Sequence, residues 1–414
     1  MIVGAGASGL AAAYRASASK KELNILVIEK EKLPGRKLSA SGNGKANLTN
    51  SYIDESCYHS ENTLFVKNWV EKHSSKNIIS FFEEMGILLY QNNGYFYPFS
   101  NQGKQVSKLL WQKNMDLGVN FLLETRVTAI HKVLANNSLY YEIATANINK
   151  QEKIIKAKKV ILATGGMSVP KLGGCNDGYK LAKSLELRQT SLYPVLSPIY
   201  VEDMDLSIAK GVRLDAMVTL KSDNGLCQKE LGQVQFNENS LSGIVVMNLS
   251  GYLYQSQQRN SKISLYLDIF PHMTWEELKQ FMLKQQNQYP KETLELMLSG
   301  FLPLLFVQYV LKRLSLQKNL QLENLTQKQI NRLTSILKKL TFVPVYKKDY
   351  DKAQVTGGGV LVDEIDWESF ESIQNKGLYI IGELLDMYGK CGGYNLTFAI
   401  LSGIHAAEHM ITKL

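Results

Sequence analysis

The chain has 414 residues, a formal net charge of +9 and a hydrophobic content of 45%. Its length allows two or three domains with a large core, and its longest apolar run, residues 301–311, is too short to span a bilayer. Four cysteines, Cys57, Cys175, Cys227 and Cys391, include no C-x-x-C pair, which argues against a redox-active disulfide or a zinc site. These features indicate a soluble enzyme without a membrane partner or a bound metal.

The first predicted element is a short strand, Ile2–Val3, that runs into a glycine-rich turn. Gly4, Gly6 and Gly9 fit the pattern G-x-G-x-x-G, in which the first glycine permits a tight turn, the second admits a pyrophosphate and the third packs helix against strand. A helix over residues 10–16 follows. The turn leaves no room for a signal peptide, so we expect a cytoplasmic protein. The leading strand is shorter than usual, which suggests that a few residues are missing at the start of the sequence.

A second predicted strand, residues 24–28, ends at Glu29. A carboxylate in this position of the motif accepts hydrogen bonds from ribose hydroxyls. The alternative is a strand-to-helix turn that binds no ligand, since G-x-G-x-x-G alone is a weak signal. Because strand, helix and acidic residue all accompany the glycines, the sequence favours a dinucleotide with a free 2′-hydroxyl.

Residues 1–190 alternate predicted strands and helices, the pattern of a doubly wound parallel sheet. The elements predicted after Glu29 are helices over residues 63–85 and 104–117, and strands over residues 119–123, 127–130, 140–144, 153–157 and 159–163. Three of these strands form a small antiparallel meander, with Asn136-Asn137 as one of its turns.

The pattern changes between residues 191 and 344. Residues 191–272 predict a β-barrel subdomain, with strand-like runs at residues 216–220, 243–247 and 263–267. Residues 273–344 predict a helical subdomain that begins at a capping box, Thr274 with Glu277. Its helices are predicted over residues 275–286, 291–298, 304–314 and 328–339.

Residues 345–414 return to the first pattern, with a strand over residues 377–383 and a helix over residues 394–410. The predicted fold is therefore α/β, with a Rossmann-like domain split into residues 1–190 and 345–414. Its sheet is mostly parallel with a small antiparallel meander, and the β-barrel and helical subdomains are inserted into it.

Much of the positive charge lies in residues 301–350, which contain nine Lys or Arg against Glu323 and Asp349. Such a stretch is typical of a nucleic-acid-binding face. The basic residues alternate with Leu and Ile at helical spacing, however, which favours the solvated side of amphipathic helices. We therefore expect a small-molecule substrate rather than nucleic acid.

Four glycine-rich segments call for one extended ligand. The second, residues 34–50, carries Arg36 and Lys37, and its amides can surround phosphates and a ribityl chain, although an ordinary loop has a similar composition. The third is residues 163–166. The fourth places a helix start after Gly392-Gly393, where free amides suit the N1–C2 carbonyl edge of a reduced flavin. NAD has no such group, so the sequence favours FAD.

Together with Thr356-Gly357-Gly358-Gly359-Val360, these segments resemble the bacterial NAD(P)/FAD-dependent oxidoreductases of the aminoacetone oxidase family of FAD-binding enzymes. The resemblance covers nearly the whole chain. It implies bound FAD, a Rossmann-like domain split by β-barrel and helical domains, and an oxidoreductase activity. The family's usual glycine, arginine and cysteine are replaced here by Asn43, Lys45 and Ala46, so any role of that cysteine is absent from this chain.

Carried over residue by residue, the resemblance implies that the fingerprint turn holds the FAD pyrophosphate and Glu29 the adenosine ribose. It places Val127 at the adenine, Glu383 and Asp386 on the ribityl side, and the start of the last helix at the isoalloxazine. The full set of expected cofactor-binding residues is Gly4, Ala5, Gly6, Ser8, Gly9, Glu29, Lys30, Arg36, Lys37, Ser41, Gly42, Asn47, Val127, Ala163, Thr164, Gly165, Gly382, Glu383, Asp386, Gly393, Asn395 and Leu396.

We predict an FAD-dependent oxidoreductase that passes a hydride through a bound flavin between NAD(P)H, or a small organic substrate, and an acceptor. No second complete G-x-G-x-x-G occurs, so NAD(P)H is expected only as a transient reductant. The alternatives are a flavin-dependent tRNA-modifying enzyme and a flavoprotein similar to fumarate reductase. The sequence assigns no catalytic acid or base; Lys390, Cys391 and Tyr394 are candidates because they lie beside the predicted flavin edge.

Overall fold

The structure is a computed structural model that describes residues 1–19, 22–135 and 138–413. The chain forms two compact units. The first unit comprises Met1–Pro194 and Tyr350–Leu414, and the second unit is Val195–Asp349. The domain boundaries inferred from the sequence stay predictions.

The helices, in chain order, are α1 (Ala7–Ser17), α2 (Arg36–Ala40), α3 (Thr63–Lys72), α4 (Ser75–Glu84), α5 (Gly103–Asp116), α6 (Asp177–Ser184), α7 (Ile244–Gln258), α8 (Trp275–Gln288), α9 (Leu294–Ser299), α10 (Leu304–Leu314), α11 (Gln327–Lys338) and α12 (Tyr394–Thr412). None of the helices in the described ranges has the length and apolar character needed to cross a bilayer.

The strands, in chain order, are β1 (Ile2–Val3), β2 (Leu26–Ile28), β3 (Thr49–Asn50), β4 (Tyr58–His59), β5 (Leu89–Asn92), β6 (Tyr95–Pro98), β7 (Asn120–Leu122), β8 (Thr125–Ala135), β9 (Ser138–Asn147), β10 (Glu152–Ala157), β11 (Val160–Leu162), β12 (Tyr193–Val195), β13 (Ile199–Val201), β14 (Arg213–Ser222), β15 (Cys227–Phe236), β16 (Ser240–Ser242), β17 (Ile263–Asp268), β18 (Leu340–Phe342), β19 (Pro344–Val345), β20 (Val355–Gly357), β21 (Leu378–Ile380) and β22 (Tyr388–Gly389).

A five-stranded parallel sheet of order β21-β11-β1-β2-β7 organises the first unit. Ile2 pairs with Ile161 on one side and with Val27 on the other, and all three side chains are buried. Strands covered on both faces are continuously apolar, which is why these short runs were recognisable. The predicted Rossmann-like fold is confirmed, and every strand of this sheet ends at the same edge.

Helix α12, in the C-terminal segment, packs against the fingerprint helix α1. A Cβ added at Gly403 would overlap the carbonyl oxygen of Ser8, so glycine permits close contact between the two helices. Ala11, Ala12, Ala406 and Ala407 are fully buried. The small residues of both helices thus fix the end of the chain against its beginning.

Other strands of the first unit form small antiparallel sheets of order β3-β6-β5 and β22-β4, together with the predicted meander, of order β10-β9-β8. The predicted turn at Asn136-Asn137 lies outside the described residues. The helix expected over residues 63–85 is instead two helices, α3 and α4. Ser74 caps α4 in a capping box with Asn77, which starts a new helix where the pattern suggested continuation.

The second unit contains a seven-stranded antiparallel sheet of order β18-β17-β14-β15-β16-β13-β19. Its two edge strands, β18 and β19, are separated in the chain by Val343 alone. This connection brings the edges of the sheet together, as in the predicted barrel. One hydrophobic core takes in the sheet and helices α7 to α11.

The strand predicted over residues 243–247 was wrong, because these residues begin helix α7. Val245, Val246, Leu249 and Leu253 are buried at helical spacing. A short apolar run does not distinguish a buried strand from a buried helix. The predicted helix over residues 275–286 and its capping box of Thr274 and Glu277 are confirmed by α8.

Candidate functional site

The fingerprint turn lies at the carboxyl end of β1, and its three glycines have different neighbours. A Cβ on Gly4, whose φ is +103°, would overlap the carbonyl of Ala163, and a Cβ on Gly9 would overlap the carbonyl of Gly4. Gly6 instead has no heavy atom within 4 Å of an added Cβ. Open space at the second glycine and close packing at the other two are what a pyrophosphate-binding turn requires.

Helix α1 begins directly after Gly6, with no side-chain cap and no acidic residue in its first turn. The first turn of α1 therefore contributes no carboxylate of its own to the free N–H groups, and such a helix start suits a phosphate. Ala5 and Ser8 are buried in this turn. Ser8 lies beside Gly382, where an added Cβ would be 2.8 Å from the Ser8 Oγ.

Glu29 follows β2 and points back to the fingerprint. The Ala5 N–H donates to Glu29 Oε2 at 2.7 Å. The Thr125 N–H donates to the Glu29 carbonyl at 3.0 Å, which brings the start of β8, and Val127 two residues further on, to the same strand end. Lys30 is half-buried beside Glu29. The Glu29 carboxylate is thus held at the fingerprint turn, next to the start of β8.

The segment that begins at Gly35 packs against the fingerprint, since the Gly35 N–H donates to a fingerprint carbonyl at 2.8 Å. Both cations expected along the cofactor have carboxylate partners. Arg36 pairs with Glu31, and Lys37 Nζ lies 2.7 Å from Glu383 Oε2. The two side chains therefore anchor this segment as well as adding positive charge to the site.

The loop after α2 brings Ser41, Gly42 and Asn47 to the same region. Ser41 Oγ donates to the Leu38 carbonyl at 2.7 Å, and Gly42 has a left-handed backbone with φ +56°. Asn47 Oδ1 is buried and has no hydrogen-bond partner within the described chain. A buried acceptor without a donor is costly. Asn47 therefore fits a site where a ligand N–H or O–H completes the bond.

Ala163, Thr164 and Gly165 follow β11, next to the fingerprint. Gly165 has φ +69°, and Thr164 Oγ1 is a second buried oxygen with no partner in the described part of the chain. A Cβ on Gly178 would overlap this hydroxyl, so the hydroxyl is closely confined by the start of α6. Together with Asn47, Thr164 gives the site two unsatisfied polar side chains.

Glu383, just after β21, contacts three segments that are distant in sequence, at Lys37, Thr356 and Gly166. Its Oε1 accepts from the Thr356 N–H at 2.9 Å, and its Oε2 accepts from Lys37. A Cβ on Gly166 would overlap both the Glu383 carboxylate and the Thr356 hydroxyl. That hydroxyl accepts from the Met167 N–H at 2.8 Å. The predicted ribityl-side carboxylate is thus held by protein groups on both oxygens.

Asp386, the other predicted carboxylate, is 4% exposed. Its Oδ2 accepts from the Glu61 N–H at 3.0 Å, and burial raises the pKa of Asp386 to about 6. On the nearby β4–β22 pair, His59 stacks on Tyr388 with 4.8 Å between ring centroids. Burial, assisted by the charge of Lys390, lowers the pKa of His59 to about 4. His59 is therefore neutral at physiological pH.

The start of α12 is built on close backbone contact. A Cβ on Gly393, whose φ is +93°, would lie 2.7 Å from the Thr49 Cα. The Asn395 side chain is engaged within its own loop: its Oδ1 accepts from the Gly389 N–H and its Nδ2 donates to the Gly389 carbonyl, both at 2.8 Å. Leu396 packs partly against the core. Because α12 has no side-chain cap and no acidic residue in its first turn, its amides suit a partial negative charge.

The three candidate acid or base residues occupy different environments. Tyr394 is 7% exposed, and burial raises its pKa well above the usual range, with Cys57 adding to the shift. Its hydroxyl therefore stays protonated. The backbone N–H of Lys390 donates to the Cys57 carbonyl at 2.8 Å. Cys391 Sγ lies 3.8 Å from Gln354 Oε1.

Two groups that line this region were not assigned from the sequence. Thr356 was recognised within a glycine motif, but its hydrogen bonds to Met167 and Glu383 were not. Asn50 donates from Nδ2 to the Gly392 carbonyl at 3.2 Å and so joins β3 to the turn before α12. An asparagine followed 342 residues later by its partner leaves no local sequence signal for such a bond.

The ends of β1, β2, β11 and β21 bring these segments to one edge of the parallel sheet. From β1 the strand order runs to β2 on one side and to β11 on the other, so this edge contains the topological switch point where such sheets bind ligands. Among the described residues, no group of three or more His, Cys, Asp and Glu is arranged to hold a metal. Open space at Gly6, two uncapped helix starts and two unsatisfied polar oxygens fit an extended phosphate-bearing cofactor such as FAD.

Comparison with known proteins identifies a Rossmann-domain family and relatives along nearly the whole chain. Residues 1–409 match the family described as HI0933-like protein Rossmann domain. The chain is 30% identical over 407 residues to a 3-dehydro-bile acid delta(4,6)-reductase of Clostridium scindens, covering 98% of this chain and 97% of that protein. It is 29% identical over 404 residues to a ribosomal RNA dihydrouridine synthase of Haemophilus influenzae, covering 96% of this chain and 95% of that protein. The narrower aminoacetone oxidase assignment stays a prediction.

A solved structure shares the fold. The 3-ketosteroid delta1-dehydrogenase of Sterolibacterium denitrificans aligns with a TM-score of 0.53 at 14% identity, covering 100% of this chain and 99% of that one. At this identity the similarity concerns architecture only. The name of the Haemophilus relative gives no support to the expectation that nucleic acid is not a partner.

Proposed function

The chain belongs to the HI0933-like protein Rossmann-domain family, a group of flavin-dependent oxidoreductases, and we propose that it is an FAD-dependent reductase of carbon–carbon double bonds conjugated to a carbonyl. The names of two relatives share this chemistry. A delta(4,6)-reductase of a 3-dehydro bile acid and a dihydrouridine synthase each add two hydrogens across a C=C bond conjugated to a carbonyl.

The observation that carries the FAD part of the proposal is the combination of space and unsatisfied groups at the carboxyl edge of the parallel sheet, whereas the acceptor class rests on the names of the two relatives. Gly6 leaves room for a pyrophosphate at the start of α1, and Asn47 Oδ1 and Thr164 Oγ1 lack partners within the described chain. We assign the pyrophosphate to the fingerprint turn and the adenosine ribose to Glu29. Asn47 and the start of α12 are assigned to the ring end of the cofactor.

In this arrangement the protein positions groups and supplies fixed dipoles. When bound, FAD supplies hydride transfer. The free amides at the start of α12 would favour negative charge on the N1–C2 carbonyl edge of a bound flavin. Lys37 and Glu383 hold the Gly35 segment across the site, and the buried Tyr394 excludes water from the turn at Gly393.

The proposed net reaction consumes NAD(P)H and one proton. The C–H bond of the dihydronicotinamide is broken, and a hydride reaches the carbon β to the substrate carbonyl. The π bond opens, and the carbon α to the carbonyl takes a proton from water or a protein hydroxyl. NAD(P)H is oxidised to NAD(P)⁺, and the substrate gains two hydrogens.

The test is an anaerobic two-step experiment with the full chain loaded with FAD. Addition of NADPH or NADH should bleach the flavin absorption, and a conjugated enone should then restore it, with a product two mass units heavier than the substrate. The matched saturated ketone should restore nothing. A flavin that is reduced but gives no saturated product with enones would refute the proposed acceptor class.

A second candidate is dihydrouridine formation in RNA, favoured by the name of the Haemophilus relative. The basic region of residues 301–350 adds little to this candidate, because many of its cations serve the second unit. Those with internal contacts are Arg313 with Asp203, Arg332 with the Leu314 carbonyl, Lys338 with Asp268, Lys339 over the Tyr266 ring and Lys347 over the Tyr200 ring. Mass analysis of ribosomal RNA after incubation with enzyme and NADPH tests this candidate.

A further inference from the structure

The hairpin of β5 and β6 presents aromatic side chains on one face. Tyr90 pairs with Tyr97 across the hairpin, and the Phe99 N–H donates to the Leu88 carbonyl at 3.0 Å. Because side chains alternate along a strand, Tyr95, Tyr97 and Phe99 share a face with their cross-strand neighbours. We call Leu88, Tyr90, Tyr95, Tyr97 and Phe99 the aromatic strip.

The aromatic strip faces away from the core. On the opposite face of the hairpin, Leu89 packs against the hydrophobic core and Pro98 is buried. On the strip, Leu88 is 60% exposed and Phe99 is 61% exposed. The Tyr90 ring lies 5.9 Å from the Tyr97 ring and 5.3 Å from the Phe99 ring. The strip is therefore a continuous, half-exposed aromatic surface.

One end of the strip reaches the candidate cofactor site. A Cβ on Gly392 would lie 3.1 Å from Tyr95 Cε1, 3.0 Å from Tyr394 Cε2 and 3.2 Å from Asn50 Nδ2. Asn50 pairs with Tyr95 in the β3–β6 ladder. The aromatic surface thus continues from the turn before α12 through Tyr95 to Tyr97 and the exposed Phe99.

The strip carries no formal charge. No Asp, Glu, Lys or Arg occurs between residues 85 and 103, a stretch that contains five aromatic residues. Tyr90 keeps its ring in place by donating from its hydroxyl to Asn101 Oδ1 at 2.6 Å. A surface of rings and neutral polar groups favours a flat, uncharged ligand over a polyanion, since phosphate contacts to nucleic acid are made mainly by cations.

We propose that the aromatic strip is the substrate-binding surface of the enzyme and that it takes a flat, uncharged ring system with a carbonyl conjugated to a C=C bond. This inference rests on the proposed function and adds to it the place and class of the substrate. Tyr97 and Phe99 stack on the ring system remote from the reacting carbons, and Tyr95 contacts the end nearest the Gly392 turn.

The test measures the calorimetric Kd of a 3-oxo-4,6-diene steroid for the FAD-loaded full chain and four variants. Tyr97→Ala and Phe99→Ala should each raise the Kd about tenfold, because each removes one stacking ring. Tyr97→Phe keeps the ring and should stay within about twofold of the parent. Leu64→Ala removes a 62% exposed apolar side chain from α3, outside the strip, and is the matched control with no expected change.

Flavin absorption and Tm of each variant show whether it is folded and loaded. An unchanged Kd in both alanine variants would overturn the proposal, as would a failure of the parent to bind the steroid. Binding of a uridine-containing single-stranded RNA at the strip, with no steroid binding, would also overturn it in favour of a polyanionic substrate. If the parent takes up no FAD, the proposed function fails separately, and the steroid Kd measured on the flavin-free chain still tests the strip.

Discussion

Lys37 and Glu383 form an ion pair across 346 positions of sequence, with 2.7 Å between Nζ and Oε2. The pair joins the segment after Glu29 to the end of β21, and the second Glu383 oxygen accepts from the Thr356 N–H. One carboxylate therefore holds together the segments that form the candidate cofactor site. The site is a product of tertiary structure as much as of its glycine motifs.

Glu383→Gln should weaken FAD binding without unfolding the protein. The amide still accepts from Thr356, but it leaves the Lys37 ammonium without its anion and loosens the Gly35 segment. With Glu383 partly buried, we expect the FAD Kd to rise about tenfold, which is ~1.4 kcal/mol. Fluorescence titration with FAD measures this change. Glu368→Gln breaks the more exposed pair with Lys72 and should leave the FAD Kd unchanged; equal effects of both variants would contradict the assignment.

Gly6→Ala and Gly9→Ala should differ in stability, because Gly6 leaves open space for a ligand whereas Gly9 is closely packed against the protein. Gly6 has φ −75° and no atom within 4 Å of an added Cβ, so its alanine variant should unfold within about 0.5 kcal/mol of the parent. A Cβ at Gly9 would overlap the Gly4 carbonyl, and this variant should lose about 3 kcal/mol or more. Urea unfolding of the flavin-free proteins measures both values. Equal stability of the two variants would show that the turn does not have the packing described here.

Asp386 should make the free energy of unfolding fall as pH rises from about 4 to 6. Burial raises the folded-state pKa of Asp386 to about 6, above the usual value of about 4 for an exposed aspartate, so the folded protein binds the proton more tightly than the unfolded chain. The favourable contribution is full below the unfolded pKa and is lost as pH rises through the folded pKa, a loss of about 2 to 3 kcal/mol. Asp386→Asn should remove this loss, whereas the exposed Asp116→Asn should not. Urea unfolding at pH 4.5 and 7 measures it, and identical differences in both variants would refute it.

A pair of histidines should make the free energy of unfolding fall as pH decreases, opposite to the effect of Asp386. His73 and His405 share a hydrogen bond with 2.7 Å between their Nε2 atoms, and burial lowers the pKa of both, that of His73 to about 4. With folded-state pKa values below the unfolded value near 6.5, the stabilising contribution is present above pH 6.5 and is lost as pH falls toward 4. His405→Gln should therefore reduce the acid destabilisation in this range. Urea unfolding in the Asp386→Asn background isolates the effect, and an unchanged acid slope would count against it.

The sequence was sufficient for the parallel sheet and the fingerprint because each depends on local patterns. Short apolar runs next to glycine turns mark strands covered on both faces, and Glu29 follows at the expected distance. The pattern failed at residues 243–247, where an apolar run of strand length begins a buried helix. It also failed at His73, where the new capping box at Ser74 divides one expected helix into two.

Long-range partners were beyond the sequence for a physical reason. The contacts of Lys37 with Glu383 and of Asn50 with Gly392 depend on which strand ends meet, and no residue spacing encodes that. The hydrogen bonds of the Asn395 side chain to the Gly389 backbone could not be predicted either, because they depend on the fold of the turn before α12. The sequence predicted which segments meet at the carboxyl edge of the sheet but not which of their polar atoms are already bonded to protein partners.

The central claim is that the carboxyl edge of the parallel sheet holds FAD. Its most direct test is titration of the purified, flavin-free full chain with FAD, followed by the change in flavin absorption and fluorescence. We expect saturation at one equivalent for the parent chain and no saturable binding for Gly6→Ala at unchanged Tm. Absence of saturable binding by the parent, or equal FAD affinity of the parent and Gly6→Ala, would contradict the claim.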